Sequence, residues 1–259
     1  MDDPRADLNR IQSVAHAYDL IADDYDAQIE SSPLAREMRR QLHAHLARLF
    51  RPGDRVLDLT AGTGIDACFL AARGVHVSAL DISSRMIMDL QERAKNLRVQ
   101  VDAQVLDAQD LAEIDAKDYD GAISTFAGLN TVEDVPKLAR ALREKVKPHG
   151  RILIHALNRF CLWEAVAAKL QGRPPRGQHQ DLRVGARYIS HACFDPYELW
   201  QSSFAPAFRL NRVYAMSVIA APALVNQFPR LAPVLFALDR VMGRAFPKAG
   251  DFFVMELER

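Results

Sequence analysis

Three aspartates and a glycine-rich turn stand at intervals that suit a ligand carrying ribose and adenine. Val56-Leu57-Asp58-Leu59-Thr60-Ala61-Gly62-Thr63-Gly64 runs from an apolar stretch into the turn. Glycine has no Cβ, so a ligand can approach the backbone closely there. A helix start behind the turn adds free N–H groups. Asp81 follows Gly64 by 17 residues and ends the next apolar stretch, where a carboxylate can accept both ribose hydroxyls. Asp107 ends the one after, where a carboxylate can accept from an adenine amino group. Asp58, four residues before Gly62, suits the ammonium of an amino acid, a group that a dinucleotide pyrophosphate lacks. Gly62-Thr63-Gly64-Ile65-Asp66-Ala67 also reads as G-x-G-x-x-A, with Asp81 as ribose acid. An NAD(P)-dependent oxidoreductase is therefore the alternative.

Other reactive side chains are scattered. His155, His179 and His191 lie at or beyond the fifth expected strand, where a substrate wall belongs. His155 and His191 are the candidate catalytic residues, as general bases on a substrate hydroxyl or amine. His43 and His45 are two apart, point to different helix faces and cannot chelate one metal; they read as solvated. Arg159 and Glu164 read as a surface salt-bridged turn, and Arg173 and Arg176 as solvated charge. Cys68, Cys161 and Cys193 show no metal-ligand spacing, so no metal is expected.

The elements that must position these residues alternate. Residues 8–50 read as helical, with Leu34, Met38, Leu42, Leu46 and Leu49 recurring every three or four positions. Strands are expected at 55–59, 75–80, 99–106, 119–126 and 151–157, with helices between most of them, which means βαβ units and a parallel sheet. Beyond residue 157 the pattern changes. Helices are expected at 160–170 and 195–203, a loop at 172–180, an extra strand at 184–190, and the last two strands at 210–219 and 252–257. Across 230–246, Leu231, Val234, Leu235, Leu238, Val241 and Met242 form one apolar helical face. It reads as core-facing, with a hydrophobic lid or a membrane-surface contact as the alternative.

Over about residues 14–157 the chain resembles the class I S-adenosylmethionine-dependent methyltransferases, in particular their small-molecule branch. The resemblance implies a doubly wound, mostly parallel seven-stranded sheet, the Rossmann-like methyltransferase fold, with the last strand antiparallel and helical additions forming a substrate cap. It implies that Asp58, Thr60, Ala61, Gly62, Thr63 and Gly64 hold the cofactor, although the family often has glycine where Thr60 stands. Asp81 matches the ribose acid, and Ile82 and Met86 fall among the cofactor contacts. Asp107, Ala108 and Gln109 match the adenine edge. Thr125 and Phe126 mark the place where the methionine end meets the substrate. Tyr18 and Tyr25 match an N-terminal lid. The cofactor would be S-adenosyl-L-methionine, its product S-adenosyl-L-homocysteine, and the reaction an in-line attack by O, N or C on the sulfonium methyl. A non-catalytic module binding the same cofactor is the remaining alternative.

Composition narrows the partners. The chain has 259 residues, 33 basic and 33 acidic, for a formal net charge of zero. Nucleic-acid binders carry a basic excess, so a small-molecule acceptor is expected and a nucleic acid is not. No apolar run spans a membrane and the first residues lack an apolar signal region, so the expected location is cytoplasmic, as a monomer or homodimer. The whole chain reads as one domain: a helical lid at 1–50, a cofactor core at 51–157, and cap insertions at 158–206 and 220–249. Phe160, Trp163, Phe194, Trp200, Phe228 and Phe246 in those insertions suggest an apolar acceptor pocket.

Overall fold

The computed structural model describes residues 4–184 and 187–259. Two helices come first, α1 (Pro4–Ser31) and α2 (Pro33–Leu49). The helical stretch expected over 8–50 is divided at Ser32, because Pro33 has no N–H to continue α1; Ser32 caps the second helix by accepting from the Ala35 N–H. There follow β1 (Arg55–Asp58), α3 (Ile65–Ala71), β2 (His76–Asp81), α4 (Ser84–Leu97), β3 (Val101–Val105), β4 (Tyr119–Ser124), α5 (Val135–Lys145) and β5 (Val146–Leu157). The Ser83 hydroxyl caps α4 through the Met86 N–H, and Asp134 caps α5 through the Lys137 N–H.

Seven strands form one sheet in the order β3-β2-β1-β4-β5-β9-β8. Here β8 is Arg209–Met216 and β9 is Phe252–Glu258. All pairings from β3 to β5 are parallel, whereas β9 is antiparallel to both β5 and β8. Neighbouring residues of a strand point to opposite faces. Val56, Ile123 and Val254 pack on one side, against Leu42 and Leu46 of α2. Leu57, Ala122 and Phe253 pack on the other, against Leu138 and Leu142 of α5. Burial on both sides explains why these strands read as unbroken apolar runs.

The segments beyond β5 depart from expectation. After α6 (Leu162–Leu170), a hairpin of β6 (His179–Val184) and β7 (Arg187–Ala192) stands where one extra strand was expected over 184–190; residues 185–186 of that expectation lie outside the described residues. α7 (Pro196–Leu199) continues into a π-turn. α8 (Pro222–Gln227) and α9 (Ala232–Ala245) connect β8 to β9. Arg176 is buried, not solvated: it pairs with Glu164 at 2.5 Å and Asp251 at 2.6 Å, tying its loop to α6 and the start of β9. Glu164 is likewise buried, while Arg159 pairs with Glu198.

The apolar face of α9 is turned outward, which corrects the core-facing expectation. Leu231, Val234, Leu238 and Val241 are exposed, while Ala232, Asp239 and Gly243 are buried. The reason is Gly243. A Cβ there would lie 2.0 Å from the Ala215 carbonyl oxygen, so the helix lies close on β8; Leu235 and Phe236 still pack partly buried against the core, and Leu231, Val234, Leu238 and Val241 point away. His43 and His45 are not solvated either. His43 stacks on Phe69, and His45 is buried between Tyr214 and Glu256. No helix among the described residues is long and apolar enough to cross a membrane.

Candidate active site

The cleft lies where β1, β2 and β4 end. Past Asp58 the chain turns into α3, with Gly62 at φ 53° and Gly64 at φ 78°. A Cβ on Gly64 would lie 2.3 Å from Leu90 Cγ, whereas a Cβ on Gly62 would meet nothing within 4 Å. Gly64 therefore serves packing, and Gly62 leaves open backbone beside the cleft. Thr60 occupies the familiar glycine position without crowding. Its hydroxyl lies 2.8 Å from that of Ser124, and the room for it comes from Gly128, whose Cβ would collide with Thr60 Oγ1 at 2.0 Å.

Asp81 reaches the same space from the end of β2. Its carboxylate accepts from the Gly62 N–H at 2.7 Å and the Ser83 N–H at 2.9 Å. Burial pushes its carboxyl up to about 6 against those two donors. Asp107, beyond β3, accepts from the Gln109 N–H at 3.0 Å, and burial raises its carboxyl too. Together with Tyr18, Tyr25, Thr125 and Phe126 they line one cleft. Every residue expected to touch a cofactor lines it except Gly64 and Asp58.

Asp58 is not part of the cleft lining. It is wholly buried beneath the turn, its Oδ2 has no hydrogen-bond partner, and its Oδ1 meets the Thr60 N–H only at 3.5 Å. Burial first, and then the negative charge of Asp66, hold its carboxyl well above the usual range.

The ionised acid of the cleft wall is one that sequence reasoning passed over. Asp66, in the first turn of α3, accepts from Thr125 Oγ at 2.6 Å and Arg39 Nη1 at 3.0 Å, and lies 2.6 Å from His43 Nε2. Burial opposes its charge, but His43, Arg39 and Thr125 outweigh it and hold the carboxyl down to about 2. The Arg39 guanidinium lies 4.0 Å from the centre of the Phe126 ring. Arg39 and Asp66 both line the cleft. Arg39 sits among other arginines on α2 with nothing local to mark it, and Asp66 was visible only as a filler of the G-x-G-x-x-A pattern.

The candidate bases are elsewhere. His155 is fully buried, and its Nδ1 accepts from the Phe126 N–H at 3.1 Å. Its ring lies against Phe126 and Phe252, and Nε2 has no partner. Burial pushes its pKa down to about 3. It thus supports Phe126 and Ala127, two consecutive left-handed residues at φ 48° and 65°, a strained pair that the surroundings must hold in place. His191 is buried under Tyr18, with its Nδ1 on the Ile189 carbonyl at 2.9 Å and its Nε2 3.3 Å from the Tyr18 hydroxyl. His179 opens β6. Among the described residues no histidine lines the cleft.

α1 is fastened across the cleft. Asp19 accepts from Ser83 Oγ at 2.6 Å and Asp26 from Thr63 Oγ1 at 2.6 Å, and β7 supplies His191 behind Tyr18. The expected cap is therefore only partly a cap. The hairpin packs on α1, but among the described residues none from 158–206 or 220–249 lines the cleft, and α9 lies away from it along β8.

Comparison with known proteins fits this geometry. A family model described as a methyltransferase domain matches residues 34–193. A ubiquinone biosynthesis O-methyltransferase of Xanthomonas axonopodis pv. citri (strain 306) is 28% identical over 179 residues, 68% of this chain and 72% of its own. Its counterpart in Xanthomonas campestris pv. campestris (strain B100) is 30% identical over 159 residues, 60% of this chain and 66% of its own. Among solved structures, the 4+2 cyclase SpnF superposes with a TM-score of 0.63 at 15% identity, covering 96% of this chain and 95% of its own. An S-adenosylmethionine-dependent methyltransferase from Mesorhizobium loti does so with a TM-score of 0.54 at 17% identity, covering 83% and 96%. At such identities the likeness is one of fold.

Proposed function

The chain belongs to the class I S-adenosylmethionine-dependent methyltransferases, and from that premise we propose that its cleft moves a methyl group to an acidic hydroxyl of a small, partly apolar molecule. Family membership replaces the nicotinamide alternative. The observation that carries the reading is the convergence of the Gly62 turn, Asp81 and Asp107 on one cleft. The cleft suits the cofactor on its own chemistry. Open backbone at Gly62 fits the methionyl end, Asp81 two ribose hydroxyls, and Asp107 with Gln109 an adenine edge. Arg39, a cation of the cleft wall paired with Asp66, fits the carboxylate of the amino-acid end. When bound, the sulfonium supplies a methyl carbon that is already electrophilic.

This chain's own residues then position and enclose. Tyr18, Tyr25 and Met86 close the cleft toward α1, and enclosure removes water that would compete or screen. Phe126, held by His155 and faced by Arg39, sets the wall where acceptor and methyl donor meet. Orientation of two reactants supplies much of the rate in such a transfer. Asp66, held near 2, is too weak a base to take a hydroxyl proton, and among the described residues no histidine lines the cleft. An acceptor hydroxyl with acidity of its own, such as a phenol or enol, fits such a wall. The relatives' designation as O-methyltransferases supports oxygen as the acceptor atom.

The test has two parts. Calorimetry should give micromolar binding of S-adenosylmethionine and S-adenosylhomocysteine, and no binding of a nicotinamide dinucleotide. Transfer of a labelled methyl should then proceed to catechols and not to aliphatic alcohols of the same size. Transfer to the aliphatic alcohols alone would overturn the acidic-hydroxyl reading and leave the cofactor assignment standing.

A further inference from the structure

On α8 and α9 the chain displays side chains that a folded protein normally hides. Val234, Leu238 and Val241 are 59%, 52% and 63% exposed, on one face of α9. Leu231 precedes them, and Phe228 and Phe246 stand at the two ends, all exposed. The face cannot be turned inward by rolling the helix. Gly243 sits against the Ala215 carbonyl too closely for any Cβ. The Asp239 carboxylate accepts from the Ser217, Ile219 and Ala220 N–H groups at 2.8 to 3.0 Å. One side of α9 is therefore locked on β8, and its apolar side is held outward.

The charge beside this face has one sign. Residues 222–249 contain Arg230, Arg240, Arg244 and Lys248, and their single acid is the buried Asp239. Arg240 and Arg244 continue into a groove shared with Arg40 and Arg48 of α2 and Arg212 of β8. Two acids border it. Glu37 is taken up by Arg40 and, at 3.4 Å, by Arg240; Glu256 by His45 and Arg151. Lys248 pairs with Asp195. Arg48, Arg230 and Arg244 make no ion pair among the described residues.

We propose that α8, α9 and the arginine groove form a docking face for an anionic lipid bilayer. A bilayer offers anionic headgroups and an apolar interior within a few ångström of each other, and this face presents cations beside outward valine, leucine and phenylalanine. Interfacial helices bind by this combination, and basic residues near an anionic surface add to it. A second copy is the poorer occupant, because a two-fold contact sets the same patch against itself and brings arginine onto arginine. The proposal is independent of the methyl-transfer reading, since it needs neither cofactor nor acceptor.

The test is co-sedimentation of the full chain with vesicles of phosphatidylcholine alone and of phosphatidylcholine mixed with phosphatidylglycerol. Binding is expected at least about tenfold stronger to the mixed vesicles, and weakened by salt. Val234→Glu with Leu238→Glu should lower it about tenfold or more, and Arg244→Ala about fivefold, with melting temperatures unchanged. Absence of binding to the mixed vesicles would overturn the proposal, as would binding that neither set of substitutions alters. So would light scattering that finds a dimer dissociated by the Val234→Glu and Leu238→Glu pair, which would make the face an interface between copies. Displacement from vesicles by inorganic pyrophosphate, with the apolar pair of substitutions silent, would make the groove a site for free anions and equally overturn it.

Discussion

At the β3-β2-β1-β4 end of the sheet, most of the charged groups around the cleft are drawn inward and satisfied, Asp58 Oδ2 being an exception. Asp81 takes two backbone N–H groups, Asp66 takes Arg39, His43 and Thr125, and the cleft between them is walled by short turns. At the β5-β9-β8 end charge is drawn inward too, at Asp239 and at Arg176 with Glu164 and Asp251, but large apolar side chains of α9 point outward and arginines line the groove beside them. A carboxylate can face a cleft only where nearby donors compensate its lost hydration. Such donors are plentiful where strands end and helices begin. An apolar residue needs no partner, so the long insertions are free to carry a surface unrelated to the cleft.

The sharpest way to break this comparison is at Asp66. Asp66→Ala removes one member of a buried ionic network and should cost about 3–5 kcal/mol, measured by urea unfolding; a cost near zero would mean that the network is decorative. Because the folded carboxyl lies near 2, below its ordinary 3.8, its contribution is present above pH 4 and lost as pH falls through about 2. Asp81→Ala should come next, weakening cofactor binding by about 2–4 kcal/mol through two lost charge-assisted hydrogen bonds. Unchanged affinity in a folded variant would displace the ribose from this strand end. Asp81 loses its contribution in the same direction, with acid, but at a higher pH. Its folded value is raised to about 6, and ribose hydroxyls need the ionised form. Affinity should therefore fall as pH drops through 6, about tenfold between pH 8 and pH 5.

His155 discriminates support from chemistry. His155→Phe leaves the Phe126 N–H without its acceptor and should cost about 1–3 kcal/mol in stability. The loss of activity should appear in KM for the cofactor, not as the hundredfold or larger fall in kcat that removal of a general base produces. A kcat collapse with unchanged stability would restore His155 as a base. The smallest effect belongs to the outward face of α9. Leu238→Ser should change stability by less than about 0.5 kcal/mol, against about 3–5 kcal/mol for Phe253→Ala in the core, both read from denaturant midpoints.

The two ends also differed in how far they could be read from the sequence. β1, β2, β3 and β4 and the acids Asp81 and Asp107 were legible, because a strand end, a glycine turn and an acid lie within a few residues of one another. Arg39, His43 and Asp66 were not, since their meeting joins α2 to α3 and β4 through tertiary packing. His155 was misread for a related reason. Position at the end of a fifth strand says that a side chain is near the ligand-facing edge, but not whether it points above or below it. α9 failed on periodicity itself. A 3.6-residue stripe shows that a helix has an apolar side, and the decision about which side meets the core was made by one glycine, Gly243, lying against Ala215.

The placement of β9 has a kinetic consequence. It is the strand that joins β5 to β8, yet 94 residues separate the end of β5 at Leu157 from its start at Phe252. Until residues 252–258 arrive, β5 and β8 each present an unpaired edge, and apolar Ile152, Ile154 and Val213 lack their cross-strand neighbours. The parallel half can assemble from shorter-range βαβ units meanwhile. Chain closure over such a separation is slow, and open edges recruit other chains. The late event in folding should therefore be the insertion of one antiparallel strand between two waiting ones, and nascent or refolding chains should be most prone to aggregate just before it.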